Sequence, residues 1–176
     1  MEDEILDEEF SIMYQETERT KVLDSTTFLR PVKNLKLKRP VTVDIGQTVA
    51  DALALMKSKQ FGCLLVTRGD ALAGILTERD IVTKALKDEE DLAAIPVAEI
   101  MTADPVTLQP DDSVAFVMNA MHVGGYRHVP IVDERNQPLA VVSVKDIIAF
   151  IVESFPEEIL NLPPKPIRKA KQQDGG

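Results

Sequence analysis

The chain has 176 residues, a formal charge of −9 and a pI near 4.8. Aliphatic side chains dominate, Trp is absent, and the single cysteine, Cys63, excludes an intrachain disulfide. That length suits one ordinary domain or two small halves sharing a core, and the acidic balance argues against nucleic acid as a partner.

Residues 1–27 read as an acidic N-terminal arm. Nine acids stand before Ser25 against Arg19 and Lys21, so most of the net charge sits here and the rest of the chain is close to neutral. Its scattered apolar residues (Ile5, Leu6, Phe10, Ile12, Met13) suit either a disordered arm or an amphipathic segment that docks. The start lacks the basic and apolar regions of a signal peptide, and no apolar run approaches a bilayer span. The reading is therefore a cytoplasmic chain with no membrane partner.

A first repeat is expected over 28–90. Val41-Thr42-Val43 is a short extended segment. Thr48 and Asp51 form a capping box that starts a helix, with Val49, Ala52, Leu53 and Met56 on one face. Cys63-Leu64-Leu65-Val66 is a continuous apolar run and predicts a strand buried on both faces. Arg68-Gly69-Asp70 is a turn, and Leu72 to Leu76 is the returning strand. Thr77 opens a second helix with Ile81, Val82, Ala85 and Leu86 apolar, and an acidic connector follows from Asp88 to Ala94.

A second repeat is expected over 91–155. Pro31-Val32 matches Pro96-Val97, and Pro40-Val41-Thr42-Val43 matches Pro105-Val106-Thr107-Leu108, each about 65 residues on. Ser113 starts a helix carrying Val114, Val117, Met118 and Met121. His128 to Val132 and Pro138 to Val142 are strands around a turn at Asp133–Gln137. Ser143 opens the closing helix. A one-residue change of offset is expected at Val123-Gly124-Gly125. Residues 156–176, rich in Pro and Lys, read as an extended basic tail. The fold class is thus α/β (α+β): two β-α-β-β-α repeats packed sheet to sheet with pseudo-two-fold symmetry. Neither half can bury its sheet face alone.

Three phrases carry a resemblance. They are Gly74-Ile75-Leu76-Thr77-Glu78-Arg79-Asp80, Ile100-Met101-Thr102 followed by Pro105-Val106-Thr107, and Gly125-Tyr126-Arg127-His128-Val129-Pro130-Ile131-Val132-Asp133. Over about residues 30–155 the chain resembles a tandem pair of CBS domains, named after cystathionine beta-synthase. The resemblance implies a regulatory module that binds an adenosine-containing ligand (AMP, ADP, ATP or S-adenosylmethionine) in clefts between the repeats. It needs no cofactor besides that ligand. The family pattern groups Thr107, Tyr126, Arg127, His128 and Pro130 with Thr77, Arg79 and Asp80 in a first cleft. It groups Thr42, Phe61, Gly62 and Cys63 with Ser143, Lys145 and Asp146 in a second, weaker one.

Asp80 and Asp146 are the implied ribose acceptors, since a carboxylate can take hydrogen bonds from both sugar hydroxyls. The same hydroxyl-x-x-aspartate phrase is also a helix cap, and the two roles are partly compatible. The local motif favours the cap; the whole repeat favours ligand binding, at Asp80 ahead of Asp146. Arg127, His128 and Arg79 offer phosphate contacts in the first cleft. Each has a plain alternative, an exposed helix residue for Arg79 and a packed strand residue for His128. Gly124-Gly125 suits either close backbone approach or a turn. The second cleft has Phe61 and Gly62 where the first has Arg127 and His128, which leaves Lys145 its only evident cation. The first is therefore expected to take the phosphorylated nucleotide, and the second to be empty, weak, or filled by a less charged adenosine compound.

No catalytic set and no metal spacing joins His122, His128 and Cys63. The expected role is therefore a non-enzymatic sensor acting on a regulated protein, and the alternative is a ligand-independent dimerisation scaffold. A homodimer is expected, with Met118, Met121, Ile147, Ile148 and Ile151 as interface material.

Overall fold

The computed structural model describes residues 25–85 and 91–155. The acidic arm before Ser25, Leu86, the connector's residues 88–90 and the basic tail lie outside the described residues.

The first unit begins with β1 (Thr42–Asp44) and α1 (Val49–Lys59), followed by β2 (Cys63–Arg68) and β3 (Ala71–Thr77). Next comes α2 (Glu78–Asp80), which runs on as a π-helical stretch Ile81–Ala85. After it come α3 (Val97–Ile100) and the two-residue β4 (Thr102–Ala103). The second unit holds α4 (Val114–Gly124), β5 (His128–Val132), β6 (Pro138–Ser143) and α5 (Val144–Ser154).

Capping explains where the helices start. Thr48 and Asp51 form the predicted reciprocal box at α1, and Ser143 and Asp146 do the same at α5. α1 and α4 both end on a left-handed residue, Gln60 at φ 56° and Gly125 at φ 66°. Gly125 adopts that conformation without a steric penalty, whereas Gln60 does not. Gly124 has a separate reason: a Cβ there would sit 1.9 Å from the Tyr126 ring. The glycine pair thus ends a helix and seats a ring.

β1 pairs parallel with β2, β2 antiparallel with β3, and β3 antiparallel with β4. β4 approaches β3 closely because position 74 is glycine; a Cβ there would meet Met101 Sδ at 2.6 Å and the Thr102 carbonyl at 2.9 Å. In the second unit β5 and β6 form a two-stranded sheet, and the expected opening strand shrinks to one bridge, Leu108 with Ile131. Two prolines account for the shortening. In the first unit Leu65 N–H donates to Val41 and Ile45 N–H donates to Thr67, framing β1 on either side. The residues one offset later are Pro130 and Pro110, which have no N–H to donate. Only the central pair survives, Leu108 N–H to Pro130 and Val132 N–H to Leu108.

The offset does not change at Val123-Gly124-Gly125 as expected. The left-handed caps (60 and 125) and the strand starts (63 and 128) keep the same spacing, while the strand ends Thr77 and Ser143 stand one further apart. The extra residue therefore lies in the β5–β6 turn, whose Asn136 adopts φ 60°. That turn clasps the other unit: Leu72 N–H donates to the Asn136 carbonyl at 2.8 Å, and Asn136 Nδ2 donates to the Leu72 carbonyl at 3.0 Å.

The segments before the two opening strands are exchanged. Val49 N–H reaches Ile95 and Val97 N–H reaches Gln47, so residues 92–97 brace α1. Val114 N–H reaches Arg30 and Val32 N–H reaches Asp112, so residues 30–33 brace α4 by the same contacts shifted one repeat. The core divides accordingly. Leu64, Val66, Val49 and Met56 pack with Ile95, Val97 and Ile100, whereas Val129, Ile131, Val117 and Ile147 pack with Val32 and Leu35. Because side chains alternate along a strand, Cys63 and Leu65 point the other way, into a third cluster with Leu72, Ile75 and Val132 between the sheets. β2 is thus buried on both faces, as its apolar run predicts.

The helix faces differ in part from expectation. Met121 and Ile147 belong to the core, and Met118 and Ile151 lie half-buried against it; of the five suggested interface residues only Ile148 is well exposed. Val82 points outward, as do Phe116, Val123 and Val144. Among the described residues no helix is long and apolar enough to cross a membrane, and no group of three or more His, Cys, Asp and Glu side chains is placed to hold a metal ion.

Candidate functional site

The two hydroxyl-x-x-aspartate boxes sit where the returning strands β3 and β6 turn into helices. Thr77 and Ser143 are both extended, which aims each hydroxyl down the following turn. Thr77 N–H and Oγ donate to Asp80 Oδ2 at 2.9 and 2.5 Å, and Asp80 N–H donates back to Thr77 Oγ at 3.3 Å. Ser143 repeats this with Asp146 at 2.7, 2.6 and 3.3 Å. The capping role is therefore present in both boxes, and it engages one carboxylate oxygen in each.

The other oxygen distinguishes them. Asp80 Oδ1 accepts an ion pair from Lys84 Nζ at 2.7 Å, and the same ammonium donates to the Ile100 carbonyl at 2.8 Å. Burial works to raise the Asp80 carboxyl, but hydrogen bonds from Lys84 and Thr77 together with the Lys84 charge outweigh it, so Asp80 titrates below the usual carboxylate range. Asp146 Oδ1 has no hydrogen-bond or ion-pair partner among the described residues. The residue that stands to Asp146 as Lys84 stands to Asp80 is Phe150, whose ring meets Phe28 edge-on at 6.3 Å. A shallow groove opens beside Asp146, lined by Asn34, Leu35, Lys36, Ala149, Phe150 and Glu153, with a Lys36–Glu153 ion pair of 2.8 Å.

The strand residues expected to face the boxes fall as follows. Gly62 and Cys63 lie beside the first box: Cys63 pairs with Thr77, and Glu78 N–H donates to the Gly62 carbonyl at 3.1 Å. Arg127 and His128 lie beside the second: His128 pairs with Ser143, and Val144 N–H donates to the Arg127 carbonyl at 3.1 Å. Backbone contacts thus join strand and box within one repeat, where the family pattern groups them across repeats. The link across is electrostatic. Burial pushes the His128 imidazole below its ordinary value and Arg127 adds to that, opposed by the carboxylates of Asp146 and Glu78. His128 therefore feels acids from both boxes.

The remaining residues are placed unevenly. Arg79, Arg127 and Lys145 are exposed. Thr42 is exposed on β1, while Thr107 and Phe61 are half-buried. Pro130 is buried within β5, and the Tyr126 ring lies on the second core. The Cys63 thiol faces the inter-sheet core, where burial, and secondarily Glu78, push it up to about 11. Its backbone, not its sulfur, borders the box. Sequence reasoning missed Lys84, Glu78 and residues 34–36. Lys84 was signalled by its position four residues after Asp80, which puts the pair on one helix face.

A model of the CBS domain family matches residues 32–87 and again 97–153. The CBS domain-containing protein CBSCBSPB5 of Arabidopsis thaliana is 34% identical over 116 residues, covering 65% of this chain and 21% of that protein. The chain thus spans about a fifth of the length of that relative. A CBS-domain containing protein from Agrobacterium tumefaciens superposes with a TM-score of 0.62 at 27% identity, over 68% of this chain and 97% of that one. A CBS domain pair crystallised with 5′-methylthioadenosine and S-adenosyl-L-methionine gives a TM-score of 0.61 at 25% identity, over 69% of this chain and 98% of that one. With the match falling on both repeats and on the fold they build, the chain belongs to the CBS domain family, as a tandem pair.

Proposed function

We propose that the chain is a regulatory module that binds an adenosine-containing ligand between its repeats and signals occupancy to a partner protein, without catalysis of its own. The observation that carries this is Asp146. Among the described residues its carboxylate keeps one oxygen without a partner, beside a groove, with Arg127 and His128 adjoining. An oxygen already oriented by a capped helix start suits a sugar diol, because its geometry is set before the ligand arrives. The neighbour crystallised with two adenosine compounds supports that ligand class. The exposed Arg127 and Lys145, with His128 between acids of both boxes, suit a 5′ substituent bearing phosphate, as in AMP, ADP or ATP.

This reading ranks the boxes opposite to the sequence expectation, since Lys84 already engages Asp80. Thr77, Arg79, Asp80 and Thr107 remain the first cleft, and Thr42, Ser143, Lys145 and Asp146 the second. Exposed Phe116, Val123, Val144 and Ile148 favour a homodimer through the outer helix faces. A cytoplasmic setting accords with the free, buried Cys63.

The test is thermal unfolding of the full chain against AMP, ADP, ATP, 5′-methylthioadenosine and S-adenosylmethionine. One-site binding at about 100-fold excess over Kd adds roughly 2.7 kcal/mol. No shift with any of the five, alongside an intact dimer by light scattering, would favour the scaffold reading.

A further inference from the structure

We infer that Lys84 sets how many ligands the pair takes, closing the first box so that each chain holds one adenosine ligand, at Asp146. This inference rests on the adenosine reading above. The two boxes are alike in their caps and differ in the residue that reaches the second carboxylate oxygen. At Asp80 that oxygen is held at 2.7 Å by an ammonium which also donates to the Ile100 carbonyl at 2.8 Å. The Asp80 side chain is only 12% exposed and that of Lys84 is 41% exposed, so water screens this pair in part. A diol arriving at Asp80 Oδ1 would have to displace the Lys84 ammonium or share that oxygen with it, and the loss of a charge-assisted contact is worth on the order of ten- to a hundredfold in affinity. At Asp146 the corresponding Phe150 has no donor to offer and packs against Phe28 instead. Among the described residues the outer carboxylate oxygen there has no partner, and the groove lies beside it.

The π-helical stretch supports the same assignment. Thr83 Oγ donates to the Arg79 carbonyl at 2.7 Å, and Lys84 lies within this wider turn. α5 runs as an ordinary α-helix over the corresponding residues. The first repeat thus carries a local irregularity at the residue that engages Asp80, and the second carries none.

The probe is 5′-methylthioadenosine, which has the sugar diol but no phosphate for Lys84 to attract, titrated calorimetrically into the full chain. Wild type is expected to bind one equivalent. Lys84→Met, which keeps most of the stem and removes the ammonium, is expected to bind two. Asp146→Asn should weaken binding at least tenfold in the wild-type background, yet leave one strong site in the Lys84→Met background. Thermal unfolding without ligand confirms that each variant folds. Two equivalents in wild type, or one Asp146-dependent equivalent in Lys84→Met, would overturn the Lys84 assignment and leave the adenosine reading standing. No heat in either protein, both folded, would overturn this inference, and if none of the five ligands above shifts thermal unfolding the adenosine reading falls with it.

Discussion

Replacing Asp146 by Asn separates capping from ligand binding within one side chain. The Asn carbonyl oxygen can still accept from Ser143 N–H, now 2.7 Å from Asp146 Oδ2, so most of the cap survives. A complete cap contributes about 1 kcal/mol, and the ligand-free protein should lose less than that. The charge and the second acceptor are lost. Hydrogen bonds to a charged group contribute about 1.5–3 kcal/mol, and a loss near 2 kcal/mol raises Kd roughly 30-fold. At a 5′-methylthioadenosine concentration of about 100 times the wild-type Kd, the wild-type protein gains roughly 2.7 kcal/mol. The variant then sits at about three times its own Kd and gains roughly 0.9 kcal/mol by the same relation. For a domain of this size those gains correspond to shifts of about 10 °C and about 3 °C. Differential scanning fluorimetry resolves the difference. An Asn variant that keeps the full ligand-induced shift would refute Asp146 as the diol acceptor, and a collapse of the ligand-free Tm would show that the carboxylate is chiefly structural.

Leu65 is fully buried between the sheets, so Leu65→Ala should cost about 2–5 kcal/mol in urea unfolding, and a cost under 1 kcal/mol would mean the inter-sheet cluster is not a packed core. Gln60 carries a side chain at φ 56° where α4 ends on Gly125, so Gln60→Gly should stabilise by about 0.5–1 kcal/mol; a lowered Tm would contradict the left-handed cap. The His128 imidazole is depressed on folding, so below the unfolded value of 6.5 the unfolded chain binds more protons and the stability linked to His128 falls with pH. His128→Gln should flatten that fall as the pH drops below about 6.5, and an unchanged pH–stability slope would show that His128 titrates alike in both states.

The parts of the fold that were legible in the sequence are those set by local chemistry. Thr48 with Asp51 and Ser143 with Asp146 announce helix starts because a hydroxyl three residues before a carboxylate can satisfy two free N–H groups at once. Cys63 to Val66 announces a two-faced strand because no polar side chain interrupts it. The misreadings arose where the outcome depended on a partner distant in sequence. Pro110 and Pro130 are visible in the sequence, but their effect on the Leu108 bridge appears only once the residues they oppose are known. The sequence suggests the Gly124-Gly125 pair for the extra residue of the second repeat, whereas those glycines serve a helix end and the Tyr126 ring. Met121 and Ile147 looked like interface residues because periodicity identifies an apolar face without saying what covers it; here residues 28–37 and the second sheet do.

The candidate site shows the same limit more sharply. A repeat invites the assumption that its two sites are copies, and the boxes at Thr77–Asp80 and Ser143–Asp146 are indeed near copies in their caps. The chemistry open to a ligand is decided one turn later, where one repeat has Lys84 and the other Phe150. A cation four residues after a helix-capping acid reads in sequence as an ordinary surface pair worth a few tenths of a kcal/mol. It becomes more than that here because the acid is nearly buried and the Ile100 carbonyl holds the ammonium from the other side. That carbonyl belongs to α3, within the 92–101 segment that packs on the first core while leading into the second repeat. Lys84 therefore joins the first box to the chain segment connecting the repeats, and a ligand that displaced it would loosen that connection as well as fill the cleft. Among the described residues the second box has no such tie, which leaves it the box open to a ligand, while Lys84 holds the first box to the segment connecting the repeats.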